Sequence, residues 1–130
     1  MAKNLRKKLG DLGERLSVAK LTELGYRVIE TNWRCEIGEL DVVAWHGECL
    51  TFIEVRTRKG GGAGTPEDSI SPAKQQRLLS LAEAYLQANP GLYNTPNEYP
   101  PCRIDMAAVE FDAAGRLTRL QIRQNIVESS

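Results

Sequence analysis

The sequence predicts an α/β fold, a mixed β-sheet flanked by helices in the order αβββαββ. Three observations lead there. Leu5, Leu9, Leu12, Leu16 and Ala19 recur at helical spacing near the amino-terminal end. The stretch Gly38 to Arg58, GELDVVAWHGECLTFIEVRTR, alternates on both sides of Gly47-Glu48, as two strands joined by a tight turn do. A second helical stretch separates that ribbon from the next strand pattern, so the strands on either side of it run parallel.

At 130 residues the chain forms a single domain, 1–130, with room for a sizeable core. Seventeen basic and seventeen acidic residues balance. That excludes a uniformly basic nucleic-acid coat but leaves room for local basic patches. The start, MAKNLRKKLG, carries charge with no apolar run after it, so it is not a secretory signal. No segment is apolar enough to span a membrane. The three cysteines, Cys35, Cys49 and Cys102, contain no CxxC pair and read as reduced thiols of a cytoplasmic protein. One histidine, His46, cannot assemble a standard zinc set.

The first helix covers residues 4 to 25 and stops at Gly25. Residues 1–8 also read as a disordered basic tail. The side opposite the leucines carries Gly10, Gly13, Glu14, Ser17, Val18 and Leu21. Interior glycines cost about 1 kcal/mol each against alanine. Two of them imply that something packs closely there, either a strand or a ligand at which Glu14 points.

Tyr26 to Arg34, rich in β-formers, is the first strand. Gly38 to His46 and Cys49 to Arg58 are the second and third, with apolar residues on both faces, so the sheet is covered on both sides. Residues 59–70 open with KGGGAG and read as a flexible loop. No GKS or GKT follows, so it is not a P-loop. The second helix runs from Ser71, its cap, through Pro72 in the first turn to Asn89. Leu78, Leu81, Ala82, Tyr85 and Leu86 form its buried stripe. Lys74 and Arg77 lie near its start, where cations oppose the helix dipole and an anion nearby would favour them. Residues 90 to 101 form a proline-rich loop. Arg103 to Asp112 and Leu117 to Arg123 are the fourth and fifth strands, the latter at an edge, and Ile126-Val127 dock the tail.

The chemistry gathers on the ribbon. If His46 faces Cys49 across the turn, Asp41 faces Glu54 and Glu39 faces Arg56. Opposed side chains share a face with Cβ atoms ~5 Å apart. Two carboxylates at that spacing repel by about 3 kcal/mol at an effective dielectric near 20. Protonation, a paired cation or a metal ion relieves this. Arg56 points to the same face as Glu54. Asp41, Glu54 and Arg56 are therefore either a buffered ion cluster or a metal-assisted hydrolytic site.

Gly13-Glu14, then GELDVVAW with FIEVRTR, then SPAKQQRLLSLAEAYL followed by RIDMAAV together resemble the YraN family of small bacterial proteins. The likeness covers Gly10 to about Val109. That family is similar to archaeal-type Holliday junction resolvases within the PD-(D/E)XK nuclease superfamily. The resemblance implies a restriction-endonuclease-like core and hydrolysis of phosphodiester bonds in DNA, branched or junction DNA included. It implies that Asp41 and Glu54 hold Mg²⁺ or Mn²⁺ together with the Val55 carbonyl. Glu14 matches the helix-one glutamate of the resolvase branch. Lys74 and Gln75 match the basic, polar start of the second helix, near the substrate phosphates. Arg103 and Asp105 match a fourth-strand motif with a structural role. Resolvase-like relatives also imply a homodimer.

Hard oxygen ligands without a histidine or thiolate cluster accord with Mg²⁺ or Mn²⁺ rather than zinc. A divalent ion reverses the sign of an acidic site that would otherwise repel a phosphodiester. Lys59, Lys74, Arg77, Lys3, Arg6, Lys7 and Lys8 are the candidate phosphate contacts. The departure from the superfamily is Arg56, where lysine is usual. Arginine stays protonated and cannot act as a general base. It can still neutralise a phosphate bidentately, leaving water activation to the metal or to Lys74. The same substitution keeps open a module that binds nucleic acid without cutting it. A third reading makes the cluster purely structural in a protein-interaction subunit, with Glu39–Arg56 and Asp41 in cross-strand ion pairs.

Overall fold

In the computed structural model Val42, Val43 and Ala44 are fully buried, and so are Phe52 and Ile53. Neighbours along a strand point to opposite faces, so both faces of this sheet need a cover. The described residues are 2–60, 64–93 and 98–127, without the side chains of residues 2 and 3. The glycine-rich part of the expected flexible loop, the middle of the proline-rich loop and the proposed Lys3 phosphate contact lie outside them.

The chain runs α1 (Ala2–Glu23), β1 (Arg27–Cys35), β2 (Gly38–His46), β3 (Cys49–Lys59), α2 (Pro72–Ala88), β4 (Cys102–Phe111) and β5 (Leu117–Arg123). Short 3₁₀ turns lie at Pro66–Ser69 and Pro90–Leu92. The five strands form one sheet in the order β1-β2-β3-β4-β5. Only β3 and β4, joined through α2, are parallel; the other neighbours are antiparallel. This is the αβββαββ order expected of a restriction-endonuclease-like core.

α2 covers one face. Its Leu78, Leu81, Ala82, Tyr85 and Leu86 pack with Val43, Leu50, Phe52 and Ile104. α1 covers the other, with Leu21 beside Val42, Ala44, Ile53 and Ala107, and Leu9 beside Val109 and Phe111. Ser71 caps α2 by accepting from the Lys74 amide at 3.1 Å. α1 ends at Gly25, whose φ of +92° suits glycine. The Gly25 and Tyr26 amides reach back to Thr22 O and Leu21 O, a Schellman closure with Tyr26 packed beside Leu21.

Three details of the sequence reading change. The buried line of α1 is Leu9, Gly13, Ser17 and Leu21, whereas Leu5 and Ala19 are exposed. The reason is Gly13: a Cβ there would stand 2.4 Å from Thr57 Oγ1 and 3.5 Å from Val109. The close neighbour expected at the two glycines is present at Gly13 alone, as strand β3; at Gly10 an added Cβ would meet nothing within 4 Å. The amino-terminal basic residues are turns of α1 rather than a disordered tail. The expected loop 59–70 contains the Pro66–Ser69 turn, with Pro66 buried.

Arg103 and Asp105 act as a structural knot. Asp105 is fully buried and accepts from Tyr26 Oη at 2.8 Å, from Arg103 Nε and Nη2 at 2.8 and 2.9 Å, and from the Asn125 amide at 2.9 Å. Tyr26 stacks on His46 with ring centroids 4.1 Å apart. Arg103 Nη2 lies 2.8 Å from His46 Nδ1, which must accept because a guanidinium only donates. The knot joins the end of α1, the end of β2, β4 and the tail. Ile126 N donates to Ile104 O at 2.8 Å and Val127 is buried, so the tail docks as the sequence suggested. All three cysteines are free thiols. Among the described residues no helix is long and apolar enough to cross a membrane.

Candidate functional site

The ribbon keeps the register read from its turn. His46 pairs with Cys49 and the ladder runs to Val42 opposite Ile53. Gly47 takes a φ of +62° at the turn while Glu48 does not share that sign, as a type II′ loop requires. Hydrogen-bonded pairs alternate along an antiparallel ladder. The next such pair would join Val55 N to Leu40 O. It does not form. The Val55 amide donates to Asp41 Oδ2 instead, at 2.8 Å. The two strands part here, and the Asp41 carboxyl sits in the opening.

Glu54 meets it there. The two carboxyls lie within hydrogen-bonding reach, and Asp41 is pushed up to about 8. Burial is the largest cause, followed by the Glu54 charge and the hydrogen bond to Glu54; the Val55 amide opposes the rise. Burial and the neighbouring acid thus favour the protonated form of Asp41 at neutral pH. Glu54 itself is 6 % exposed. Its counter-charge comes from Lys74, whose Nζ lies 2.6 Å from Oε2. The anion expected near the start of α2 is thus a side chain of the protein. Asp41, Glu54, Val55 and Arg56 face Lys74 and Arg77 across a cleft of about 290 Å³.

Arg56 lines this cleft, but its Nε donates to Ser69 Oγ at 3.0 Å. Ser69 left no signal in the sequence, because the Pro66–Ser69 turn lies in a segment that reads as a loop. Glu39 pairs with Arg34 on β1 at 3.1 Å, not with Arg56, since β1 remains paired where β3 has diverged. Glu14 lines a neighbouring groove with Thr31, Asn32 and Arg34. Burial raises its pKa, a hydrogen bond from Asn32 lowers it, and Glu39 and Asp11 raise it. Glu14 also raises Asp41 through its charge, so the two sites feel each other. Asn32 holds a φ of +56°, in the left-handed region that asparagine enters more readily than most residues. Lys59, Arg6, Lys7 and Lys8 do not line the cleft.

Among the described residues no three acidic, histidine or cysteine side chains gather to hold a metal by themselves. The donor set nevertheless fits Mg²⁺ or Mn²⁺. These ions commonly take one or two carboxylates and keep several waters. Asp41 and Glu54 supply two carboxylates, already close enough to share a proton, which a cation would displace. The Val55 carbonyl is the backbone oxygen the resemblance adds.

Fold and cleft together define a small α/β protein with a buried two-acid site at the parting of a β-ribbon and cations at its rim. The chain belongs to the uncharacterised protein family UPF0102, the YraN family, which its residues 13–109 match. It is 42 % identical to the UPF0102 protein of Kineococcus radiotolerans over 110 residues, 85 % of this chain and 86 % of that protein. It is 42 % identical to that of Symbiobacterium thermophilum over 121 residues, 93 % and 97 % of the two chains. It is 44 % identical to that of Roseiflexus castenholzii over 104 residues, 80 % of each. The matched residues 13–109 contain the cleft, all of α2 and the second half of α1.

Proposed function

We propose that this protein is a Mg²⁺- or Mn²⁺-dependent nuclease that hydrolyses phosphodiester bonds in DNA, branched or junction DNA among them. The observation that carries the reading is the Asp41–Glu54 pair, held together in a largely buried cleft with Lys74 on Glu54. Two adjacent acids are a poor arrangement for stability alone and a suitable one for a hard cation. A divalent ion at Asp41 and Glu54, with the Val55 carbonyl, would supply Lewis-acid polarisation of a phosphoryl oxygen.

The chain's own residues would do the rest. Arg56 and Arg77, at the cleft's rim, would neutralise the phosphate. Lys74, positioned by the first turn of α2, would hold Glu54 through its ammonium and add positive charge beside the phosphate. Glu14 would tune Asp41 from the neighbouring groove. The test is a cleavage panel on single-stranded, duplex, flap and four-way DNA with each metal. Cleavage that needs metal and is lost in Asp41→Ala and Glu54→Ala, both still folded, supports the enzyme.

A second reading has its own observation. Arg56 Nε is engaged by Ser69, and no lysine occupies its place on β3. A cleft of this kind could bind nucleic acid without cutting it. Salt-dependent DNA binding that survives both alanine substitutions, with no cleavage on any substrate, would favour that module.

A further inference from the structure

Arg56 could hang loose at the rim of the cleft, yet its inner nitrogen is fixed. Nε donates to Ser69 Oγ, and Ser69 Oγ donates in turn to Pro66 O at 2.6 Å. A hydroxyl has one proton. With that proton committed to Pro66, Ser69 can face Arg56 only as an acceptor. Fixing Nε sets the plane of the guanidinium and leaves both Nη atoms for something else. Among the described residues no carboxylate lies within ion-pair distance of Arg56.

The turn that carries Ser69 is itself fastened. Glu67 accepts from Arg119 through both carboxylate oxygens, and Arg123 Nε lies 3.7 Å from it. Glu110 takes a further bond from Arg119 at 3.1 Å. Asp68 accepts from the Thr65 amide at 2.9 Å and Pro66 is buried. Neither Ser69, Glu67 nor Arg119 lines the cleft.

We infer that Ser69 is a positioning residue that holds the Arg56 guanidinium ready for a phosphate oxygen, and that the Glu67–Arg119 pair locks the turn from which it does so. This rests on the proposed function for the identity of the anion. The gain is preorganisation: an arginine already held gives up less freedom when substrate arrives. The device also suits arginine in particular, because a lysine at this position has no inner nitrogen for Ser69 to hold.

The test pairs Ser69→Ala, Ser69→Thr and Arg119→Gln with two backgrounds, parent and Arg56→Lys. Thermal melting checks that each variant folds. One readout is the rate of DNA cleavage at saturating Mn²⁺. The other is solvent exchange of the Arg56 Nε–H, followed by NMR. Ser69→Ala should slow cleavage by about tenfold to a hundredfold in the parent and leave the rate unchanged in Arg56→Lys. Ser69→Thr, which keeps the hydroxyl, should retain the parent rate. Exchange at Arg56 should quicken in Ser69→Ala and in Arg119→Gln. Equal slowing in both backgrounds, or an Arg56 Nε–H as protected in Ser69→Ala as in the parent, overturns the assignment. A parent that cuts no DNA overturns the proposed function instead, and exchange at Arg56 then decides the positioning by itself.

Discussion

The Val55 amide donates a 2.8 Å hydrogen bond to Asp41 Oδ2 where the β2–β3 ladder would have placed Leu40 O. One side chain thus does two things. It satisfies an amide that the parting strands would leave without its ladder partner, and it brings an acid against Glu54. Both effects depend on where the ribbon opens, and the remaining charges are arranged around that point.

Metal-free stability should fall as pH rises. The ordinary value for Asp41 is 3.8, and in the fold it is pushed up to about 8. Between these values the folded protein holds a proton that the unfolded chain has lost. The unfolded state therefore binds fewer protons, and unfolding free energy declines with pH until about 8 and then levels off. Asp41→Asn cannot ionise and should lack this slope. At pH near 9 it should be more stable than the parent by roughly 1–3 kcal/mol. Urea denaturation of both proteins at several pH values checks this. A difference between them that stays constant across the window would rule out a protonated Asp41.

The same proton should be released by metal. A cation at the pair competes with it, so apparent Mn²⁺ affinity should rise about tenfold per pH unit below 8 and flatten above. Calorimetry in buffers of different ionisation enthalpy should count close to one proton released at neutral pH. Asp41→Asn should lose both the binding and the proton. Affinity that is flat in pH would mean that any ion binds elsewhere.

Lys74 should matter to the fold before it matters to any reaction. Glu54 is nearly buried, and Lys74 Nζ is its counter-charge at 2.6 Å. Lys74→Met leaves Glu54 without it and should cost about 1–3 kcal/mol, less than a fully buried pair because the Lys74 side chain is 28 % exposed. Adding Glu54→Gln should restore most of the loss. A double-mutant cycle by urea unfolding measures the coupling. Additive effects would mean that the contact contributes nothing.

Much of this was legible in the sequence, for particular reasons. Alternation on both sides of Gly47 fixed the ribbon's register, because a slip by one residue would have turned Val43 and Phe52 away from the α2 face. Ser71-Pro72 and Gly25 marked helix ends through capping geometry that depends on local residue type. What could not be read was where the ribbon opens. That follows from Asp41 competing with Leu40 O for one amide, a choice made in three dimensions. Ser69 was hidden for a similar reason: its partner Arg56 is brought to it only by a turn anchored on β5. The face of α1 was misassigned because leucines outweighed glycines in the pattern. β3 lies against Gly13, where an added Cβ would meet the Thr57 side chain.

That close approach gives a prediction with a change of sign. Alanine at an interior helix position is favoured over glycine by about 1 kcal/mol. At Gly13 the added methyl would stand 2.4 Å from Thr57 Oγ1, so α1 or β3 must shift. Threonine is branched at Cβ and cannot swing clear easily. Overpacking of this kind costs about 1–3 kcal/mol, so Gly13→Ala should destabilise on balance. In a Thr57→Ala background the obstructing oxygen is gone, and the next neighbour, Val109 Cγ1 at 3.5 Å, is an ordinary contact. There Gly13→Ala should become stabilising, since only the helix preference remains. Urea midpoints of the four proteins in the cycle decide it. If Gly13→Ala lowers stability equally in both backgrounds, contact with Thr57 is not why the helix has a glycine there.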